Sequence, residues 1–174
     1  MNIGLSPEAV LSDAAKSLAP TEIGTTPAEM VGFALLYTGG NILAVRRRNS
    51  KKLDINKQWG LPSCKIPSNQ NASVVDYISL AVRKKYGFQE LAFDQVEAFS
   101  ASPNELSQTA TMAGFLMTAR VINPDQLRLD PRETIGVEWK TVDNIFALSP
   151  KFTQYSLHAL GLYSPTDADP VRVA

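Results

Sequence analysis

From Met30 to Tyr37 the chain is almost continuously apolar. It breaks at Thr38-Gly-Gly-Asn41 and turns apolar again from Ile42, a pattern that predicts a hairpin of two strands closed by a Gly-Gly turn. The period then changes. After Ser73, the apolar positions Val74, Tyr77, Ile78, Ala81 and Val82 recur at helical spacing, with Ser73 placed to cap the first turn and Gly87 to end the last. Phe93 to Phe99 and Thr109 to Val121 read as strands separated by the polar loop Ser100 to Gln108. Near the amino terminus, Ser6-Pro7-Glu8 is a helix start, Val10, Leu11, Ala14 and Leu18 form its apolar stripe, and Pro20 ends it. Strands and helices mixed in this way predict an α/β domain.

One segment narrows the fold further. Trp59-Gly-Leu-Pro-Ser-Cys-Lys-Ile-Pro67, followed by the helix ending at Gly87-Phe88, resembles the signature box of the Nudix hydrolases. That box sets a Gly-Gly turn after a Trp-x-x-Pro strand, then a loop glutamate, then a helix of the form Arg-Glu-apolar-x-Glu-Glu-x-Gly-apolar. Aligned on Gly87, the positions of Arg-Glu hold Leu80 and Ala81, those of Glu-Glu hold Lys84 and Lys85, and the turn glycines are Ser63 and Cys64. The loop is two residues longer than in the family, so its glutamate falls on Gln70 or Ala72. The flanks resemble the family too: the hairpin from Val31 to Arg48, Glu138 to Ile145 as a strand and short helix, and Phe152 to Leu162 as a closing helix. The resemblance therefore runs from Met30 to Tyr163 and implies an α/β/α sandwich around a mixed sheet, extended by the amino-terminal helix. It divides the chain into a helical extension at 1–28, a Nudix-like domain at 29–163 and a tail at 164–174. It also implies a homodimer.

The resemblance implies Mg2+ as cofactor, but the ligand positions are changed. Carboxylates at i, i+3 and i+4 would share one helical face, and hard cations want clustered oxygens. Ala81, Lys84 and Lys85 offer none, so the expectation is that no metal or other cofactor binds there.

The bulk properties agree with a soluble domain. A length of 174 residues suits one domain, and 44% hydrophobic with 20% charged residues is ordinary globular composition. The longest apolar runs are too short to span a bilayer. The amino terminus has no basic region leading into an apolar core, which predicts a cytoplasmic rather than a secreted protein. A single cysteine excludes an intrachain disulfide, and no Cys/His cluster suggests zinc.

The formal net charge of zero conceals an asymmetry. Between Arg46 and Lys85 there are ten basic and two acidic residues, so this segment carries +8 and the remainder −8. Where the family has an acidic metal site, this chain has Arg46, Arg47, Arg48, Lys65, Lys84 and Lys85 as candidate ligand-binding residues, able to meet a phosphate directly. Each has a plainer reading. Strand alternation would leave Arg46 and Arg48 on a solvated strand end. Lys84 and Lys85 suit the last turn of a helix through its dipole alone. Cys64 beside Lys65 could be reactive, although a thiol without a basic partner is ordinarily inert. His158 has no second ligand or nucleophile nearby in sequence and reads as a surface or interface histidine.

Three functional readings follow. The leading one is a degenerate, non-catalytic Nudix-like module that binds a nucleotide, another diphosphate-containing ligand or a protein partner. The second is a divergent diphosphate hydrolase drawing acids from outside the box, with Asp76, Glu97, Glu105, Glu133 or Glu138 as candidates. The third is a nucleic-acid or protein interaction module using the basic segment 46–85. Against the nucleic-acid form, Trp59 is the only aromatic residue between Arg46 and Tyr77, too few for a stacking platform.

Overall fold

The computed structural model describes residues 29–48, 59–67, 71–101 and 112–161. The helix expected from Ser6, residues 102–108 of the polar loop and the tail from Ser164 lie outside them. Among these residues seven strands make up one mixed sheet: β1 (Glu29–Thr38), β2 (Asn41–Arg47), β3 (Trp59–Gly60), β4 (Ser63–Lys65), β5 (Leu91–Ala101), β6 (Met112–Val121) and β7 (Thr134–Thr141). Three α-helices accompany it among the described residues: α1 (Val74–Tyr86), α2 (Val142–Leu148) and α3 (Gln154–Ala159).

The sheet is built around β1, which runs parallel to β6 from Glu29↔Met112 to Tyr37↔Arg120. A parallel pair of this kind is covered on both faces, which explains why Met30 to Tyr37 shows no polar alternation. Side chains nevertheless alternate between two cores. Met30, Ala34 and Leu36 of β1 join Phe115, Met117 and Ala119 of β6 under α1, through Ile78, Val82 and Tyr86. Phe33 of β1 joins Met112 and Leu116 of β6 and Leu61 on the opposite face, where Tyr155, Ala159 and Leu160 pack. Ala44, Ile145 and Phe152 extend that second layer beneath α2. The expected α/β/α sandwich is therefore present.

Helix α1 has the predicted ends. The Ser73 side chain accepts a hydrogen bond from the Asp76 amide at 3.1 Å, and Gly87 closes the helix in the left-handed region at φ 81° with its N–H on the Arg83 carbonyl. Its buried stripe is Val74, Ile78, Val82 and Tyr86, four residues apart, whereas Tyr77 and Ala81 are only partly covered. The closing helix is shorter than expected. Phe152 pairs with Trp59 in a parallel bridge, Thr153 caps, and only Gln154 to Ala159 is helical.

One feature of the sheet creates a cleft. β1 pairs with β2 only at Tyr37↔Ile42 and Thr38↔Asn41. Toward its amino-terminal end the same edge pairs instead with β4, through Val31↔Lys65, Gly32↔Cys64 and Phe33↔Ser63. Meanwhile β2 pairs with β3 and β7. The two partners of β1 thus diverge, and the end of β2 faces β4 across an opening.

Candidate functional site: a basic cleft

Arg47, the last residue of β2, bridges this opening. Its guanidinium donates to the Leu61 carbonyl at 3.3 Å and makes a close hydrogen bond to the Ser63 hydroxyl. Both bonds use one terminal nitrogen of a group that carries five N–H donors. Burial lowers its pKa from the ordinary arginine value, opposed by the neighbouring Tyr86 and Glu133, but an arginine remains charged throughout the physiological range. Tyr86 lies on the helix side of Arg47, and burial raises its phenol pKa while Arg47 and a hydrogen bond with Thr134 act in the other direction.

The cleft opens into a pocket of about 510 Å³ lined by Arg47, Arg48, Lys65, Lys85, Arg132 and Glu133, with Val31, Phe33, Tyr86 and Tyr155 supplying its apolar and aromatic wall. Five cationic side chains against one carboxylate make the lining strongly positive among the described residues. Lys85 projects from the last turn of α1, with its ammonium 3.0 Å from the Glu133 carboxylate and 3.4 Å from the Ser63 carbonyl. Glu133 arrives on the turn before β7. That turn is shaped by Asp130, whose carbonyl accepts from the Glu133 and Thr134 amides, and the Glu133 carbonyl in turn accepts from the Arg48 amide at 3.1 Å. Arg132 grips Asp130 through Nε and a terminal nitrogen, which holds the Asp130 carboxyl below its usual range.

Of the six candidate residues, Arg47, Arg48, Lys65 and Lys85 line the pocket, while Arg46 and Lys84 do not. Strand alternation accounts for Arg46, which is exposed at the Trp59 pairing position. It fails for Arg48. Arg48 lies beyond Arg47, the last residue of β2, so strand alternation no longer governs it; on the partner strand the β2–β7 register shifts between Arg46↔Gly136 and Arg47↔Thr134, with Ile135 as the extra residue. Lys84, adjacent to Lys85 on the helix, is exposed on another side of it. Cys64 lines the pocket, yet burial raises its thiol pKa more than Lys85 lowers it, in keeping with an inert cysteine. His158 is half-buried: its ring packs on Phe99 at 5.4 Å, and Nε2 lies 3.1 Å from the Ser100 carbonyl. Among the candidate acids that are described, only Glu133 reaches the pocket. Asp76 sits in the first turn of α1, Glu97 lies exposed on β5, Glu138 pairs with Lys140 on β7, and Glu105 lies outside the described residues. Arg132, Tyr86, Thr134 and Tyr155 were not expected at a site. The turn-forming Asp130-Pro-Arg-Glu133 was the one local signal for the first of them.

The donor set does not fit a divalent metal. Ala81 and Lys85 stand where a helix would have to supply oxygens, no group of three His, Cys, Asp or Glu residues able to hold an ion occurs among the described residues, and Glu133 is already paired with an ammonium.

The box turn owes its position to α3. The Leu61 amide donates to the buried Ser156 hydroxyl at 3.0 Å, and the Thr153 amide donates to the Trp59 carbonyl at 2.8 Å. A Cβ at Gly60 would stand 2.7 Å from the Ser156 oxygen, so close approach requires glycine there. This docking places Ser63 within reach of Arg47 and Lys85.

No family model matches the sequence, and no curated protein matches it. Solved structures do. A NUDIX hydrolase from Nitrosomonas europaea aligns over 86% of this chain and 96% of its own at 16% identity, with a TM-score of 0.55. The MutT protein from Methanosarcina mazei Go1 aligns over 83% and 98% at 17% identity, with a TM-score of 0.60. The NUDIX domain of Shewanella oneidensis NrtR, in complex with ADP ribose, aligns over 87% and 94% at 14% identity, with a TM-score of 0.54. Neighbours this distant in sequence establish architecture rather than chemistry: the chain has the Nudix hydrolase fold.

Proposed function

We propose that this chain is a non-catalytic binding module that takes a nucleotide or another diphosphate-containing ligand into the basic cleft without a bridging metal. The observation that carries the reading is the convergence of Arg47, Arg48, Lys65, Lys85 and Arg132 on one concave pocket beside an aromatic wall. Arginine and lysine bind phosphate oxygens directly, and a pocket of this size and mixed character suits a small ligand. A concave arrangement also favours a small molecule over an extended nucleic-acid strand, which would need a basic groove with stacking aromatics along it. ADP-ribose, the ligand recorded with the NrtR domain, is the first probe to use.

The expected result is thermal stabilisation of the full chain by ADP-ribose or a nucleoside diphosphate, reaching about 2.7 kcal/mol at a hundredfold excess over Kd. It should be the same in EDTA and in Mg2+. A requirement for Mg2+ would overturn the metal-free reading, and no stabilisation across a panel of nucleotides and dinucleotides would overturn the ligand class.

The hydrolase reading has one observation in its favour, the presence of Glu133 at the pocket. A carboxylate there could serve as a base only if cations supplied what a metal otherwise would. Turnover of any diphosphate substrate that is lost on Glu133→Gln would establish it.

A further inference from the structure

The pocket contains its own competing anion. Lys85 and Glu133 form an ion pair at 3.0 Å within a lining that is otherwise cationic. The backbone of Glu133 is fixed twice over, by its amide on the Asp130 carbonyl and by its carbonyl under the Arg48 amide. Its side chain, in contrast, is 55% exposed, against 34% for that of Lys85. Rotating the Glu133 side chain would therefore release the Lys85 ammonium without disturbing the turn or the β7 register.

We propose that Glu133 is a specificity-determining counter-ion, occupying Lys85 at rest and yielding it only to a ligand with two linked phosphates. The inference rests on the proposed ligand class and deepens it. A tethered carboxylate competes at the high effective concentration of an intramolecular partner. A monophosphate offers only one anionic group with which to displace it. A diphosphate can take Lys85 with one phosphate while the other meets Arg48, Lys65 or the remaining donors of Arg47, so the two contacts reinforce each other. Ser63 prepares this geometry, because its carbonyl holds Lys85 and its hydroxyl holds Arg47, joining the helix end to the end of β2.

The test is equilibrium titration of the full chain with pyrophosphate and with inorganic phosphate in EDTA, for the unaltered chain, Glu133→Gln, Lys85→Met and the double variant. Glu133→Gln should tighten both ligands by about threefold to fivefold, the scale of one exposed ion pair, with the larger gain for inorganic phosphate. Lys85→Met should weaken pyrophosphate, and the gain from Glu133→Gln should shrink in its presence. Glu133→Ala serves as a second variant lacking the hydrogen-bonding amide and should behave like Glu133→Gln. Unchanged or weaker binding in both Glu133 variants, or a gain of the same size without Lys85, would overturn the counter-ion role alone. Failure of both the unaltered chain and Glu133→Gln to bind either anion would overturn the role together with the proposed ligand class.

Discussion

The two sides of helix α1 differ in what they require. One side is a stripe of Val74, Ile78, Val82 and Tyr86, buried against the sheet at intervals of four residues. Outside that stripe stand Ala81, Lys84 and Lys85, aligned with the positions where the resembling family places its acids, and of these three Lys85 lines the pocket while Lys84 is exposed on another side of the helix. The buried side keeps apolar character, cap and terminating glycine, because each of these is coupled to the sheet or to the next loop. The residues outside the stripe are neutral or cationic at these positions, and the helix packs without any contribution from them. Packing thus constrains one stripe of the helix and leaves the charge of the remaining positions to other demands.

The contrast can be broken most directly from the buried side. Ile78 is 1% exposed and packs beneath β1, so Ile78→Ala should destabilise the chain by about 2–5 kcal/mol in urea denaturation, and a cost under ~1 kcal/mol would mean that the stripe does not anchor the helix. Gly87→Ala comes next. The left-handed conformation alone costs a Cβ-bearing residue about 1–2 kcal/mol, and the added Cβ would stand 2.7 Å from the Gln126 carbonyl oxygen, so the total should reach or exceed that range. The smallest effect belongs to the other side: Lys84→Gln should change stability by less than ~0.5 kcal/mol and leave pyrophosphate affinity unaltered. A loss of affinity comparable to that of Lys85→Met would show that the two lysines act together, and the distinction drawn between adjacent helix positions would fall.

A similar contrast separates the two sides of the cleft. The β4 side is held by backbone pairing to β1 and by the buried Thr153–Ser156 cap, in which the Thr153 hydroxyl donates to the Ser156 hydroxyl at 3.0 Å. The Glu133 side is a turn whose charged side chains are substantially exposed. Rigid donors face adjustable ones, an arrangement that allows ion pairs to exchange partners while the scaffold stays fixed.

Much of the architecture was legible because its signals are local. The Gly39-Gly40 turn, the Ser73 cap, the helical spacing of Val74, Ile78 and Val82 and the termination at Gly87 each depend on a few neighbouring residues, and the structure has all of them. The short strand at Trp59–Gly60 was legible only through the resemblance, since two residues carry no period of their own. The site was harder to read. Arg46, Arg47 and Arg48 are equivalent as sequence, and the place where β2 ends, at Arg47, separates the exposed Arg46 from the two that line the pocket. Arg132 and Glu133 are remote from the basic segment and join it only because β7 pairs with β2.

The sequence by itself determined the elements, the excess of positive charge between Arg46 and Lys85 and the absence of a carboxylate at Ala81, Lys84 and Lys85. Those are properties of residue type and short-range spacing. The tertiary structure alone decided that Arg47 bridges β2 to the box turn, that Lys85 and not Lys84 enters the cleft, and that Glu133 meets it there. The reason is geometric: strand divergence and the docking of the helix, whose side chains turn by about 100° per residue, select among neighbouring side chains, and both the divergence and the docking depend on contacts between segments far apart in the chain.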